Sequence, residues 1–319
     1  MDEAQELIRR IESGGGLTDP AWRAAFEAVP REYFVPYYYV PTVGGYRRRW
    51  RNDPDPAERA AWREGVYEDA PLAIRVRDGE LVSSSSQPSL MALMLDALGV
   101  TDGMDVLEIG TGSGYNAGLL SARLGDSHVT TVDLDPALTE TAATHLADAG
   151  FRPHVVTGDG AQGCVAYAPY HRTIATCTVQ RVPQAWLAQS TQDALILTPF
   201  ATGLLVLRVE GDVAGEITGT GRFLQTPAFF VPLRGGALPW EPGVERPPGV
   251  PRGAWTEDSF RFLLSLLGPT ADPVAAFGVW RAEGRPERER YGVSVRGERQ
   301  WAWLDEPTGA HVWELPPEG

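Results

Sequence analysis

The sequence is poor in cysteine and histidine and short of positive charge, and each shortage removes a class of function. Its 319 residues hold two cysteines, Cys164 and Cys177, and five scattered histidines. Two cysteines build no disulfide framework and show no zinc spacing. There is no His-x-x-x-His pair either, so no metal site is expected. Lys and Arg number 28 against 42 Asp and Glu, a net charge of −14. Such a surface cannot displace counterions from a phosphate backbone, which excludes general nucleic-acid binding. No apolar run is long enough to span a bilayer, and Met1 to Arg10 mixes charges throughout, unlike a secretion signal. A reducing, cytoplasmic setting without membrane contact is the expectation.

What remains is a chain that can form a core, with 43% hydrophobic residues, and whose patterns alternate from residue 86 to residue 200. Leu90, Met91, Met94, Leu95 and Leu98 recur at helical spacing, which predicts a helix over 88–98. A strand and a glycine loop follow at 106–115, then a helix to Leu124 and a second strand at 129–132. Pro136 opens a helix that Gly150 closes, and further strands are predicted at 154–157, 172–178 and 194–199. This alternation builds a parallel sheet covered by helices on both faces. Strand patterns at 204–209 and 228–233 lead into a Pro- and Gly-rich linker over 234–253. Beyond it a helix starts at Thr256–Asp258, and Tyr291, Val293, Val295, Trp301 and Trp303 alternate as in a small antiparallel sheet.

The most informative stretch is Val106-Leu107-Glu108-Ile109-Gly110-Thr111-Gly112-Ser113-Gly114-Tyr115. Glycine accepts positive φ and lets backbone approach a ligand, so a strand running into Gly110, Gly112 and Gly114 reads as a cofactor-binding turn. A dinucleotide fingerprint needs its third glycine three positions after the second, where Tyr115 stands. Glu108 suits a ligand carrying positive charge, and S-adenosylmethionine carries a sulfonium and an ammonium. Asp133 ends the second strand, the place of a ribose-binding acid in nucleotide folds; a helix cap is the competing reading. Gly158-Asp159-Gly160 ends the third strand, where Asp159 reads either as an adenine-side acid or as an ordinary tight turn. Ser83-Ser84-Ser85-Ser86 reads as a loop entering the helix at Pro88, placed to fold over the cofactor's methyl end or to act only as an N-cap.

Val29-Pro30-Arg31-Glu32-Tyr33-Phe34-Val35-Pro36, the Ser86-Gln87-Pro88 entry, the 106–115 loop, Gly158-Asp159-Gly160 and Phe230-Val231-Pro232-Leu233 occur in one order. Over residues 17–235 that order resembles the protein-L-isoaspartate O-methyltransferases. The resemblance implies an α/β, Rossmann-like class I S-adenosylmethionine-dependent methyltransferase domain over 1–235, with an insertion at 37–65. Residues 236–319 would be a linker and a small α+β accessory extension. It carries a reactive-site serine onto Ser86. It also carries cofactor contacts onto Ser84, Ser85, Glu108, Gly110, Gly112, Gly114, Asp133, Asp159 and Gly160.

The departures from that pattern are the serine run itself, Ala175-Thr176-Cys177-Thr178, the insertion, and C-terminal residues that the repair enzymes are expected to lack. They resemble divergent actinobacterial homologues that accompany ribosomally made peptides such as graspetides and lanthipeptides. That likeness implies methylation of a normal aspartate in a macrocyclised precursor peptide, leading to aspartimide and then isoaspartate. Repair of isoaspartyl residues in damaged proteins is the other reading. Tyr46-Arg47-Arg48-Arg49-Trp50-Arg51 is a basic, aromatic cluster on an acidic chain, which makes Arg47, Arg48 and Arg49 candidates for holding an acidic peptide. A solvated, partly disordered loop is the bland alternative. Cys177, in a strand pattern, reads as packing rather than a nucleophile.

Overall fold

The computed structural model describes residues 3–211, 216–234, 247–269 and 271–316, and the chain divides into two compact units, Met1–Arg172 and Thr173–Gly319. No helix among the described residues is long and apolar enough to cross a membrane.

The first unit opens with helices α1 (Glu3–Ser13) and α2 (Pro20–Ala28). Asp19 starts α2 by accepting the Ala21 N–H at 2.8 Å, with Pro20 in the first turn. A short 3₁₀ turn at Arg31–Tyr33 leads to the hairpin β1 (Tyr37–Thr42) and β2 (Gly45–Trp50), followed by α3 (Pro56–Val66), which Asp55 caps. The insertion is therefore ordered, not a loose loop. Strands β3 (Leu72–Arg77) and β4 (Glu80–Ser85) complete an antiparallel sheet in the order β2-β1-β3-β4.

The serine run departs from its loop reading. Leu72 pairs with Ser85, Ala73 with Ser84 and Arg75 with Ser83, so three of the four serines form the end of β4. Serine has little strand preference of its own; pairing with β3 decides the conformation. The serine run does not cap the next helix: Gln87 holds the N-cap position, and its side chain makes no capping bond.

Helix α4 (Pro88–Leu98) occupies the span read from its periodicity and ends on Gly99 at φ 60°. Then come β5 (Val106–Ile109), α5 (Tyr115–Leu124), β6 (Val129–Asp133), α6 (Pro136–Asp148) and β7 (His154–Thr157). β5–β6 and β6–β7 are parallel pairs, as helical crossovers require. Val106, Leu107 and Ile109 of β5 are buried, as are Leu119 and Leu120 of α5 and Ala142 and Leu146 of α6. A methyl group at Gly118 of α5 would lie 2.9 Å from Phe34, so glycine there lets the Val29–Pro36 segment lie against the helix.

Strand β8 (Tyr170–Ala175) carries the chain into the second unit. There α7 (Gln184–Ala188) precedes β9 (Ser190–Phe200), β10 (Gly203–Gly211), β11 (Ile217–Phe223), α8 (Asp258–Leu267), α9 (Pro273–Ala282), β12 (Tyr291–Arg296), β13 (Arg299–Leu304) and β14 (Val312–Glu314). The strands from β9 to β14 pair antiparallel with their sequence neighbours. Phe260, Phe262, Leu263 and Leu264 of α8 are fully buried, and so is Trp303. Residues 228–233 are not a strand. They make one isolated bridge, Thr178 to Pro232, through the Val231 carbonyl and the Leu233 N–H. Within the proposed linker, 235–246 lie outside the described residues.

Candidate active site

Each glycine of the loop after β5 has positive φ: 97° at Gly110, 52° at Gly112 and 85° at Gly114. A Cβ at Gly114 would also meet Ala142 at 3.2 Å, so glycine there serves both conformation and packing. The loop is fastened to the next strand: the Gly110 N–H donates to the Val132 carbonyl at 2.8 Å, and the Gly112 N–H to Asp133 Oδ2 at 3.1 Å. Asp133 is buried, and its Oδ1 accepts the Asp135 N–H at 3.2 Å. It therefore holds the glycine loop on one side and the start of α6 on the other. Asp135 caps α6 through the Ala137 N–H and pairs with Arg75 Nη1 at 2.8 Å.

Glu108 is wholly buried on β5. Asn116 Nδ2 donates to its Oε1 at 2.8 Å and Thr131 Oγ1 to its Oε2 at 2.6 Å, but no cation pairs with it among the described residues. Burial raises its pKa to about 7, and the charge of Asp133 adds to the rise, against the two hydrogen bonds. The carboxyl group is thus poised near neutrality. Asn116 Oδ1, buried beside it, makes no hydrogen bond in the structure.

The serine strand lies over the loop. A methyl group at Gly112 would sit 3.6 Å from the Ser84 carbonyl and 3.7 Å from Ser83 Oγ, an ordinary contact with room to spare. Ser85 is buried, whereas Ser86 is half-buried. The strand end is set by Arg31, a residue whose role sequence reasoning missed. It is buried, and its guanidinium donates to the carbonyls of Val66, Glu68, Ala70, Ser85 and Ser86 at 3.0–3.2 Å. Only its place in the Val-Pro-Arg-Glu-Tyr-Phe segment hinted at a role.

Asp159 is exposed and caps the 3₁₀ turn at Gly160–Gln162 by accepting the Ala161 N–H at 3.0 Å, with Gly160 buried. The Gly158 N–H donates to the Asp133 carbonyl at 3.0 Å, which brings this turn to the loop. Arg47 and Arg49 face Glu58 of α3, at 2.7 and 3.7 Å, while Arg48 lies over the rings of Tyr37 and Trp50. The three candidate peptide contacts are therefore not equivalent. A cavity of about 300 Å³ opens beside the loop, between Gly112, Ser113 and His145 and the strand residues Tyr37, Tyr39 and Arg75. No cluster that could hold a metal occurs among the described residues. Cys177 is buried, in keeping with packing.

Residues 57–233 match the family profile described as protein-L-isoaspartate(D-aspartate) O-methyltransferase, more than half of the chain. The chain belongs to this family. The methyltransferase of Methanosarcina mazei is 31% identical over 238 residues, covering 73% of this chain and 85% of its own. That of Gloeobacter violaceus is 35% identical over 225 residues, covering 68% and 92%. A solved protein-L-isoaspartate O-methyltransferase covers 98% of both chains with TM-score 0.62 and 22% identity. A Plasmodium falciparum structure in complex with S-adenosyl-L-homocysteine covers 73% of this chain and 99% of its own, with TM-score 0.54 and 13% identity. At these identities the structures show the fold: the mixed α/β fold of class I methyltransferases. The first of these structures is matched over 98% of this chain, so the match extends well beyond residue 235.

Proposed function

We propose that this family member is an S-adenosylmethionine-dependent carboxyl O-methyltransferase that esterifies L-isoaspartyl residues in peptides and proteins. The family match over 57–233 carries this reading, since it contains the whole glycine loop and its acids. The residues fit the cofactor. A glycine loop held at positive φ, a buried carboxylate with no cation among the described residues, and the orphaned Asn116 Oδ1 together suit a polar, positively charged ligand. Glu108 and the loop Gly110–Gly114 would hold it, with Asp133 fixing the loop.

S-adenosylmethionine supplies an activated methyl group on a sulfonium. The acceptor carboxylate, with a pKa near that of an ordinary aspartate at about 3.9, is already ionised at neutral pH. No general base is needed, and the protein's task is to align the carboxylate and exclude water, a term worth up to about 7–11 kcal/mol. Ser86, which follows directly on β4 and whose hydroxyl makes no hydrogen bond among the described residues, would donate to that carboxylate.

Ser86→Ala is expected to lower kcat about tenfold, the worth of one charge-assisted hydrogen bond, with S-adenosylhomocysteine affinity unchanged. Full activity in the variant would remove the role. Asp133→Asn sets an amide against the Gly112 N–H or the Asp135 N–H. Calorimetry should find S-adenosylhomocysteine bound about tenfold more weakly, and an unchanged Kd would count against the loop's role.

A second reading is favoured by the ordered, arginine-rich β2: methylation of a normal aspartate in a cyclised ribosomal precursor, closing to aspartimide. The two are separated by offering an isoaspartyl peptide and a cyclised precursor side by side and following methyl gain and water loss by mass spectrometry. Fast methylation of the isoaspartyl peptide alone supports the first reading; methylation of the precursor alone reverses the order.

A further inference from the structure

The β1–β2 hairpin has two unlike faces. Tyr38 pairs with Arg49 and Val40 with Arg47, so these four share one face. That face meets α3: the Tyr38 hydroxyl donates to the Ala61 carbonyl at 3.1 Å, and Glu58 receives both arginines. The opposite face carries the pairs Tyr37–Trp50 and Tyr39–Arg48, with Tyr46 beyond them.

On that second face Arg48 meets no carboxylate among the described residues. Its guanidinium carbon lies 5.9 Å from the Tyr37 ring and 5.4 Å from the Trp50 ring, so two aromatic planes hold it while the residue stays exposed. Tyr37 and Tyr39 continue from Arg48 into the cavity that ends at Gly112 and Ser113. Tyrosine, tryptophan and arginine gathered on one solvent-facing surface are the residues that dominate binding hot spots. A guanidinium held in place loses little freedom when it takes a carboxylate in a forked pair.

We propose that Arg48 anchors the peptide substrate by pairing with the carboxylate of an acidic residue that flanks the methyl acceptor. It is a specificity residue, touching the substrate away from the reacting atoms. Arg47 and Arg49 are held on the other face by Glu58 and take no part. The inference rests on the peptide-carboxyl reading given above.

The test uses the full chain, Arg48→Gln and Arg47→Gln, and isoaspartyl hexapeptides identical except for Glu or Gln beside the isoaspartyl residue. Peptide Kd is measured by calorimetry, and methylation by mass spectrometry. The wild type is expected to bind the Glu peptide about fivefold more tightly, between the values for exposed and charge-assisted pairs. Arg48→Gln brings the ratio to one, Arg47→Gln preserves it, and S-adenosylhomocysteine affinity is the same in all three proteins. No preference in the wild type, a preference surviving in Arg48→Gln, or an equal loss in Arg47→Gln overturns the proposal. Methylation of the neutral peptide reports separately on the reaction. If no peptide is methylated that reading falls, and the binding ratio still decides the role of Arg48.

Discussion

Replacing Arg31 with leucine is expected to cost about 3–5 kcal/mol of folding stability, seen as a lower urea midpoint at unchanged slope. The guanidinium satisfies five backbone carbonyls, two of them at the end of the serine strand. Each buried acceptor left without a donor costs about 1–3 kcal/mol. The relief of no longer burying a charge offsets part of that total. Burial lowers the Arg31 pKa to about 10, so the group remains charged at neutral pH. Arg31→Lys should recover little, because an ammonium offers a single point of donation where the guanidinium spans several carbonyls. A loss below 1 kcal/mol in either variant would show that water can replace these bonds.

The second large effect belongs to Glu108 and depends on pH. An ordinary glutamate loses its proton near pH 4.5, whereas the folded chain keeps this one to about pH 7. Between those values the unfolded chain holds fewer protons than the native one, so this group makes stability fall as pH rises. The penalty reaches about 3 kcal/mol above pH 7 and is absent below pH 4.5. Glu108→Gln should therefore be more stable than wild type at pH 8 and nearly equal to it at pH 4.5, by urea denaturation at both values. The same variant should bind S-adenosylmethionine about a hundredfold more weakly at pH 8, having no anion to meet a cation in a poorly solvated site. Wild-type binding should tighten from pH 6 to pH 8 with proton release, measured by calorimetry in buffers of different ionisation enthalpy. Equal affinity in the two proteins would place the ligand's charge elsewhere.

These two residues mark the limits of reading by sequence. Glu108 and the glycines were legible because a short apolar strand followed by three spaced glycines has few other uses. Helix α4 was legible to the residue because its apolar spacing and Gly99 agree. Arg31 was not, since arginine is an exposed residue by default and nothing local says that five distant carbonyls will converge on it. The serines of β4 were misread for a related reason: their strand conformation comes from pairing with Leu72, Ala73 and Arg75, not from their own preference. The hairpin did carry a signal, Val43-Gly44-Gly45 after a run of tyrosines, with a two-residue loop at Val43 and Gly44. The arginines drew attention away from it. Within that cluster, only strand register could separate Arg48 from its neighbours.

The carbonyls that Arg31 collects at Val66, Glu68 and Ala70 lie at the end of α3 and just beyond it, and those at Ser85 and Ser86 lie at the end of β4 and just beyond it. One side chain thus sutures the exit of the insertion to the end of the serine strand. An exchange that takes the insertion together with Val66, Glu68 and Ala70 but leaves Arg31 behind breaks three of these bonds. A transplant that keeps its footing has to carry the whole stretch from Arg31 to Ser86.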